Sequence, residues 1–363
     1  MSRSLPHSTP DRLDHTAPLA FPVPDAPAPG AAVELADGVL WLRMPLPMAL
    51  DHVNVYALDD RLQGGDGWTL IDTGIDTRKT RAIWSEALAG PLAGAPVRRV
   101  IVTHHHPDHV GLAGWFKSEH GAEILTTRTA WLFARMLQLD VQERPAPETL
   151  TFWRRAGMPE DMLVKRMAER PFNFADTVAP LPLGFTALAE GDTIRIAGRA
   201  WDVRLGAGHA PDHATLWSRD DNLVIGGDQL LPSISPNLGV YPTEPNADPV
   251  AAWLASCDRL AAHARDDHLV LPGHKLPFTG LPARLEQMAD NHIQALARLT
   301  EWLARAPGTA HDCFEPLFGR AIGPGEYGLA LGEAVGHVNH LHRTGRARPV
   351  EGPDGAWRWH LTP

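Results

Sequence analysis

Seven consecutive residues, Thr103-His104-His105-His106-Pro107-Asp108-His109, set four imidazoles and a carboxylate directly after the apolar run Val100-Ile101-Val102. A β-branched run ending in such donors reads as a strand that delivers ligands to a metal. His104 and His106 stand two residues apart, so persistent strand geometry projects both to the same side. Asp108 and His109 follow from the turn, and Gly111 lets the chain bend away. Donors this dense do not all find ordinary core partners. The chemistry they point to is metal coordination, with zinc the first choice and iron or manganese accepted by the same ligand types.

Three later positions also sit where an apolar run ends. They are His209 in Gly208-His209-Ala210-Pro211-Asp212-His213, Asp228 in Gly226-Gly227-Asp228, and His274 in Pro272-Gly273-His274. Taken singly, each is equally well a turn residue. Cys257 and Cys313 lie far apart and outside any CxxC spacing, so a metal falls to His and Asp, and no disulfide framework is expected. The two thiols read as small buried apolar groups in a reducing compartment.

The elements that must position these donors begin after a Pro/Ala-rich arm over residues 1–30. Strands are expected at Val39–Leu42, Val53–Leu58, Trp68–Ile71 and Val97–Val102, with a helix over Arg78–Leu88. A helix over Val110–His120 and a strand at Glu123–Thr126 come next. Residues 129–185 read as a largely helical insertion, whose Trp131, Leu132, Met136, Leu137, Leu139, Phe152, Trp153, Met158, Met162 and Met167 are expected to pack mostly as core. Strands resume at Asp192–Ile196, Trp201–Leu205, Ala214–Trp217 and Asn222–Ile225, followed by a helix over Asp248–Ala264 and a short strand at Leu269–Leu271. From residue 281 to 363 the texture changes. Apolar positions recur at helical spacing from Leu285 to Leu303, helices are expected over Ala310–Phe318 and Gly328–His342, and Arg348–Leu361 reads as a hairpin. Helices closed by a hairpin describe a small winged-helix-like module. The strand-rich halves with helices between them make the catalytic part, residues 31–280, an α/β layered fold.

With 363 residues there is room for one large domain and a smaller module. A net charge of −10 argues against broad attraction to nucleic acid or to an anionic membrane surface. No apolar run approaches the ~20 residues that span a bilayer, and prolines interrupt the N-terminal stretch where a secretory signal would lie, so a cytoplasmic location is expected.

Thr103-His104-His105-His106-Pro107-Asp108-His109-Val110-Gly111 matches the signature T-H-x-H-x-D-H-x-G, and His209, Asp228 and His274 follow in order. In these residues the chain resembles the metallo-β-lactamase superfamily. The resemblance implies a four-layer αββα sandwich with two divalent metal ions at one edge. His104, His106 and His209 would hold the first, Asp108, His109 and His274 the second, and Asp228 would bridge both. His105 occupies the variable position of the signature and is left out of the ligand set. Asp72 would brace the ligands from behind, and His213 would do the same or touch substrate. His52 and Asn54 would stand at the rim or serve structure. Two zinc ions ~3.5–4 Å apart can share a bridging hydroxide at neutral pH and polarise a carbonyl, so no Ser or Cys nucleophile is needed. Asp108 would serve catalysis by orienting that hydroxide, and Tyr241 is a candidate oxyanion-side donor.

The Asp108-His109 pair is similar to that of the glyoxalase-II-like hydrolases, while Ala210 and Asp212 depart from their G-H-T-P-G-H and argue against a glutathione thioester. The stretch from Gly227 to Asn237, with the C-terminal module, resembles a subgroup that includes acyl-thioester hydrolases and a single-strand endoribonuclease. The expected activity is hydrolysis of an acyl ester or thioester, on a small-molecule or carrier-bound substrate such as acyl-CoA. The alternatives are a metal-dependent nuclease acting on single-stranded RNA and a lactonase. Arg343, Arg346, Arg348 and Arg358 against Glu351 and Asp354 leave too small a basic excess for a nucleic-acid groove. The apolar C-terminal helices are compatible with a homodimer contact.

Overall fold

Runs such as Val53-Asn54-Val55-Tyr56-Ala57-Leu58 are apolar on both alternating faces, as strands must be when each face is covered. The computed structural model describes residues 19–362, so residues 1–18 of the expected N-terminal arm lie outside the described residues. One sheet takes β1 (Val33–Ala36), β2 (Val39–Pro45), β3 (His52–Asp59), β4 (Trp68–Ile71), β5 (Val97–Ile101), β6 (Glu123–Thr127) and β7 (Thr186–Leu188) in chain order. The pairs from β1 to β4 are antiparallel and those from β4 to β7 parallel. The second sheet runs in the order β12, β11, β10, β9, β8, from β8 (Thr193–Ile196), β9 (Arg199–Gly206), β10 (His213–Ser218), β11 (Leu223–Gly227) and β12 (Leu269–Pro272). Only its β11–β12 pair is parallel.

Around the first sheet lie α1 (Arg78–Ala89), α2 (Pro107–Val110), α3 (Ala113–His120) and α4 (Arg128–Leu139). The rest of the insertion, α5 (Pro147–Arg155) and α6 (Glu160–Ala168), joins α7 (Pro249–Ala261), α8 (Leu281–Leu303), α9 (Phe314–Phe318), α10 (Tyr327–Arg343) and the hairpin of β13 (Ala347–Glu351) and β14 (Trp357–Leu361) on the other side. Alternation along the strands sorts their side chains into three cores. Trp41, Tyr56 and Ile101 meet Trp201, Leu216 and Ile225 between the sheets. Val55, Leu70 and Val100 turn outward onto Trp84, Phe116 and Trp131. Val224 and Val270 turn outward onto Trp253, Leu285 and Met288. The layers are therefore helix, sheet, sheet, helix. Trp41, Trp84, Trp201 and Trp253 are fully buried and anchor these cores, each burial contributing about 4–6 kcal/mol before entropy is counted.

Several elements differ from expectation. Residues 110–120 do not form one helix, because α2 and α3 are separated at Gly111-Leu112. The helix expected from Ala310 starts only at Phe314. The short, half-exposed β1 and the three-residue β7 carry too little pattern to be read from sequence. The named apolar residues of the insertion pack mostly as core: Trp131 and Met158 are buried, and Leu137, Phe152, Trp153 and Met162 pack against the cores. Leu132, Met136 and Leu139 of α4 and Met167 of α6 are instead exposed. Those side chains lie on helix faces that no neighbouring element covers. The C-terminal helices and hairpin share one continuous core with α7 and the second sheet. No helix among the described residues is long and apolar enough to cross a membrane.

Candidate metal centre

Parallel pairing brings the donors to one edge. Ile71 of β4 pairs with Ile101 of β5, so Asp72 and Thr103-His104 leave the first sheet side by side. Gly227 of β11 pairs with Pro272 of β12, so Asp228 and His274 leave the second sheet together. The turn between β9 and β10 supplies His209, and Ala214 N–H donates to Thr103 O (2.8 Å), joining the two sheets beside the site. After His106 the chain turns into α2 with Pro107 at its first position, which aims Asp108 and His109 back at the cluster.

The seven donors form overlapping sets. His104, His106 and His209 bring one ligand atom each within 4.8 Å of one another, and so do His104, His109 and Asp228, and Asp108, His109 and His274. In the first set, His106 Nδ1 lies 3.0 Å from both His104 Nε2 and His209 Nε2. Asp228 Oδ2 lies between the sets, 3.4 Å from His209 Nε2, 3.5 Å from His109 Nε2 and 3.2 Å from His274 Nε2. Asp108 Oδ2 stands 3.5 Å from both His109 Nε2 and His274 Nε2.

The tautomers are set from behind. Thr103 N–H and its hydroxyl donate to the two oxygens of Asp72 (2.8 Å each), so Thr103 Oγ1 accepts from His104 Nδ1–H (3.0 Å). His109 Nδ1–H donates to Asp72 Oδ2 (2.7 Å), His209 Nδ1–H to Asn237 O (2.9 Å) and His274 Nδ1–H to His52 O (2.8 Å). Each of these imidazoles therefore presents a bare Nε2 lone pair to the centre, the arrangement that ligating histidines adopt. His109 Nε2 and Asp228 Oδ1 are buried with no hydrogen-bond partner in the protein. Burial pulls His109 down, but the carboxylates of Asp228, Asp108 and Asp72 outweigh it and hold its pKa well above the ordinary imidazole value. Burial likewise pushes Asp228 up, and His274 and His109 more than reverse it. Converging lone pairs beside uncompensated carboxylates call for positive charge, and divalent metal fits the donor set.

Other residues singled out in the sequence are placed as follows. His213 is fully buried behind the cluster, stacked on His104 at 4.5 Å, and its Nε2 accepts Asp228 N–H (3.1 Å). Burial keeps it neutral, pushed down to about 3. Its expected contact with substrate is therefore corrected, because the ring has no open face and instead holds Asp228. The ring of Tyr241 is exposed, while its hydroxyl is turned toward Gly239, and burial and the nearby Glu333 raise its pKa. His105 is buried against His106 and Phe133 and belongs to none of the ligand sets. Asn54 serves structure. Its amide donates to Pro272 O and Lys275 O (2.9 Å each), and its Oδ1 accepts Trp41 Nε1–H (2.9 Å), clamping the loop that carries His274. His52 supports the same loop by accepting Lys275 N–H (3.0 Å). Asn237 escaped the sequence reading, since nothing local marks a carbonyl that will meet a histidine 28 residues earlier. A polar Asn54 inside an otherwise apolar strand was the available signal for the clamp.

Comparison with known proteins agrees with this arrangement. The chain is 28% identical over 311 residues to the Bacillus subtilis (strain 168) protein named Probable metallo-hydrolase YqjP, covering 84% of this chain and 92% of that one. It is 26% identical over 230 residues to a linear primary-alkylsulfatase of a Pseudomonas species, a match that spans 60% of this chain but 41% of that protein. Among solved structures, a beta-lactamase domain protein from Burkholderia ambifaria superposes with a TM-score of 0.87 at 34% identity, covering 95% of this chain and 98% of that one. A metallo-beta-lactamase family protein from Thermus thermophilus gives 0.74 at 27%, covering 91% of this chain and 100% of that one. Residues 296–362 match a metallo-beta-lactamase-like C-terminal domain. The superfamily's own sequence model spans residues 48–274, from before β3 to His274 itself, and the chain belongs to the metallo-β-lactamase superfamily.

Proposed function

We propose that the protein is a dinuclear metal hydrolase that cleaves an acyl ester or thioester of the acyl-CoA or acyl-carrier type. The observation that carries this reading is the place of Asp228 Oδ2, within 3.5 Å of nitrogens from both ligand sets, where one carboxylate would serve two ions. His104, His106 and His209 would hold one ion and Asp108, His109 and His274 the other, with zinc the first choice and iron or manganese accepted by the same donors. A pair of ions held by these residues would supply an ionised water at neutral pH and a Lewis acid for the scissile carbonyl.

The chain's own groups divide the remaining work. Asp108 is 22% exposed against 7% for Asp228, so Asp108 faces the open side, where its free oxygen can orient the attacking water and take its proton. Asn237 O and His52 O keep the rings of His209 and His274 fixed as charge develops. Tyr241 is the candidate donor to the oxygen that gains charge. Phe133 of α4 stands beside His105, and Met136 one turn on is exposed, so an apolar flank borders the motif and suits an acyl chain. The C-terminal module supports an acyl substrate over RNA. Arg343, Arg346 and Arg358 are engaged with Asn246 O, Thr300 and Asp354, Trp359 is buried, and Arg155 covers the ring of Trp357.

The test is a panel of acyl-CoA and acyl-carrier thioesters, lactones, an alkyl sulfate and single-stranded RNA, assayed with one preparation of zinc-loaded protein. A thioester or ester is expected to be turned over fastest, and Asp228→Ala should lower metal content and hydrolysis together. RNA cleavage faster than every acyl substrate, with steep salt dependence, would overturn the reading. So would full activity in metal-free protein.

A further inference from the structure

A second cluster of metal-type donors lies away from the strand ends, between α8 and α10. Glu333 and His337 stand four residues apart on α10 and so share one face, and His292 of α8 meets them there. One ligand atom from each of the three lies within 4.8 Å of the others. His337 Nδ1–H donates to Glu333 O (2.8 Å), which leaves the lone pair on Nε2, and that atom is 3.4 Å from His292 Nδ1. Two nitrogens on one tetrahedral ion, with bonds of about 2.0–2.1 Å, are separated by about 3.3 Å.

The pair is not satisfied as a plain hydrogen bond. His292 and His337 are 2% and 1% exposed, and His292 Nε2 is buried without a partner. With its proton on Nδ1, His292 makes one long bond and leaves a buried lone pair on Nε2. With the proton on Nε2, that N–H is orphaned and two lone pairs face each other across 3.4 Å. Burial keeps both rings neutral at ordinary pH, pushed down to about 3 for His292 and about 4 for His337, so no proton resolves the conflict. Glu333 is pushed up to about 7 by burial, opposed only by the Asn237 amide that donates to its Oε2 (2.8 Å).

We propose that His292, Glu333 and His337 form a separate divalent-cation site, of zinc type, that clips α8 to α10 in the C-terminal module. Two imidazoles and a carboxylate are a donor set that zinc takes readily, and a fourth place is left for water. The backbone bond on His337 Nδ1 supplies the outer support that such a ligand needs. Asn237 ties this site to the strand-end one: its carbonyl accepts His209 Nδ1–H while its side-chain amide donates to Glu333 Oε2.

The experiment counts zinc. Full-length protein is loaded with zinc, freed of excess, and its zinc per chain measured by mass spectrometry for wild type and the His292→Gln/His337→Gln double variant, with folding checked by circular dichroism and melting. The double variant is expected to hold one equivalent fewer. Because the readout is a difference, the number of ions at the catalytic centre does not enter. A folded double variant with the wild-type zinc content would overturn the proposal. If the double substitution prevents folding, the isosteric Glu333→Gln decides. A loss of at least about tenfold in affinity for the most weakly held zinc, in competition with a chelator, supports the site. Unchanged competition refutes it.

Discussion

Asp72 Oδ2 lies 2.7 Å from His109 Nδ1 and accepts the Thr103 hydroxyl at 2.8 Å, so one buried carboxylate orients His109 directly and His104 through Thr103. In Asp72→Asn the new NH2 group must face either Thr103 N–H or the Thr103 hydroxyl together with His109 Nδ1–H, and donors then meet. The expected result is a loss of about 10–100-fold in zinc affinity or in kcat/KM, measured by chelator competition and by hydrolysis of the best substrate. Wild-type affinity and rate in this variant would remove Asp72 from its orienting role.

Gly273 leaves no room for a side chain. A Cβ there would collide with Asp228 Oδ1 and stand 3.0 Å from His109 Cε1. Gly273→Ala should displace the Asp228 carboxylate, lower the melting temperature and lower the zinc content, with a stability loss of about 1–3 kcal/mol. Calorimetry together with zinc content reads both effects. A variant that melts and binds zinc like wild type would show that the loop yields without disturbing Asp228.

Asn54 carries the clamp on the His274 loop. Replacing it with Leu leaves Trp41 Nε1–H and the carbonyl of Pro272 short of partners in the interior, although Tyr56 still donates to that carbonyl (2.7 Å). Each buried polar group left unmet costs about 1–3 kcal/mol, and Trp41 Nε1–H is the one left without its partner, so denaturant unfolding of Asn54→Leu should report a loss of about 1–3 kcal/mol. Loss of stability without loosened zinc binding would confine Asn54 to the fold.

His268 makes a contribution to stability with a defined sign. Burial, then the charge of Arg265, lowers its pKa from 6.5 to about 4, and its Nδ1 accepts Arg265 N–H (3.1 Å). In the unfolded chain the ring takes up a proton near pH 6.5, whereas the folded protein resists until about pH 4. The unfolded state therefore binds more protons in this window, and stability falls as pH drops from 6.5 toward 4. The slope from this one group approaches about 1.4 kcal/mol per pH unit. Comparing wild type with His268→Gln across the window should show the shallower dependence in the variant, and parallel curves would refute the assignment.

The ligand frame was legible because it needs few residue types, four of them crowd into one short motif, and the others follow apolar runs that mark strand ends. The layered architecture was legible for the related reason that strands covered on both faces read as unbroken apolar runs. What supports the frame was legible only in part. Asp72 at a strand end and polar Asn54 in an apolar strand left a local signal, whereas the carbonyls of Asn237 and His52 act through contacts that join distant parts of the chain, and no local pattern announces them. His213 looked available for substrate because sequence cannot tell the rim of a site from its floor. The apolar spacing of α4 identified a helix but not its covered face, and Leu132 and Leu139 proved to be exposed. His292 lies within the helical run from Leu285 to Leu303 with nothing local to mark it, since its neighbours Glu333 and His337 arrive on another helix.

The candidate ligands are shared between two sheets that meet through apolar side chains inside and, at this rim, through Ala214 N–H to Thr103 O and the bonds of Asn54 and Tyr56 to the His274 loop. His104, His106, Asp108 and His109 hang from the first sheet, and His209, Asp228 and His274 from the second. Ions seated among them would act as a further clasp along this seam of the sandwich. Occupancy would then be a mechanical state as well as a chemical one. Stripped of metal, the protein should part first at this rim, with amides around Thr103, Asp228 and Gly273 exchanging hydrogen early while the interior around Trp41 and Trp201 stays closed.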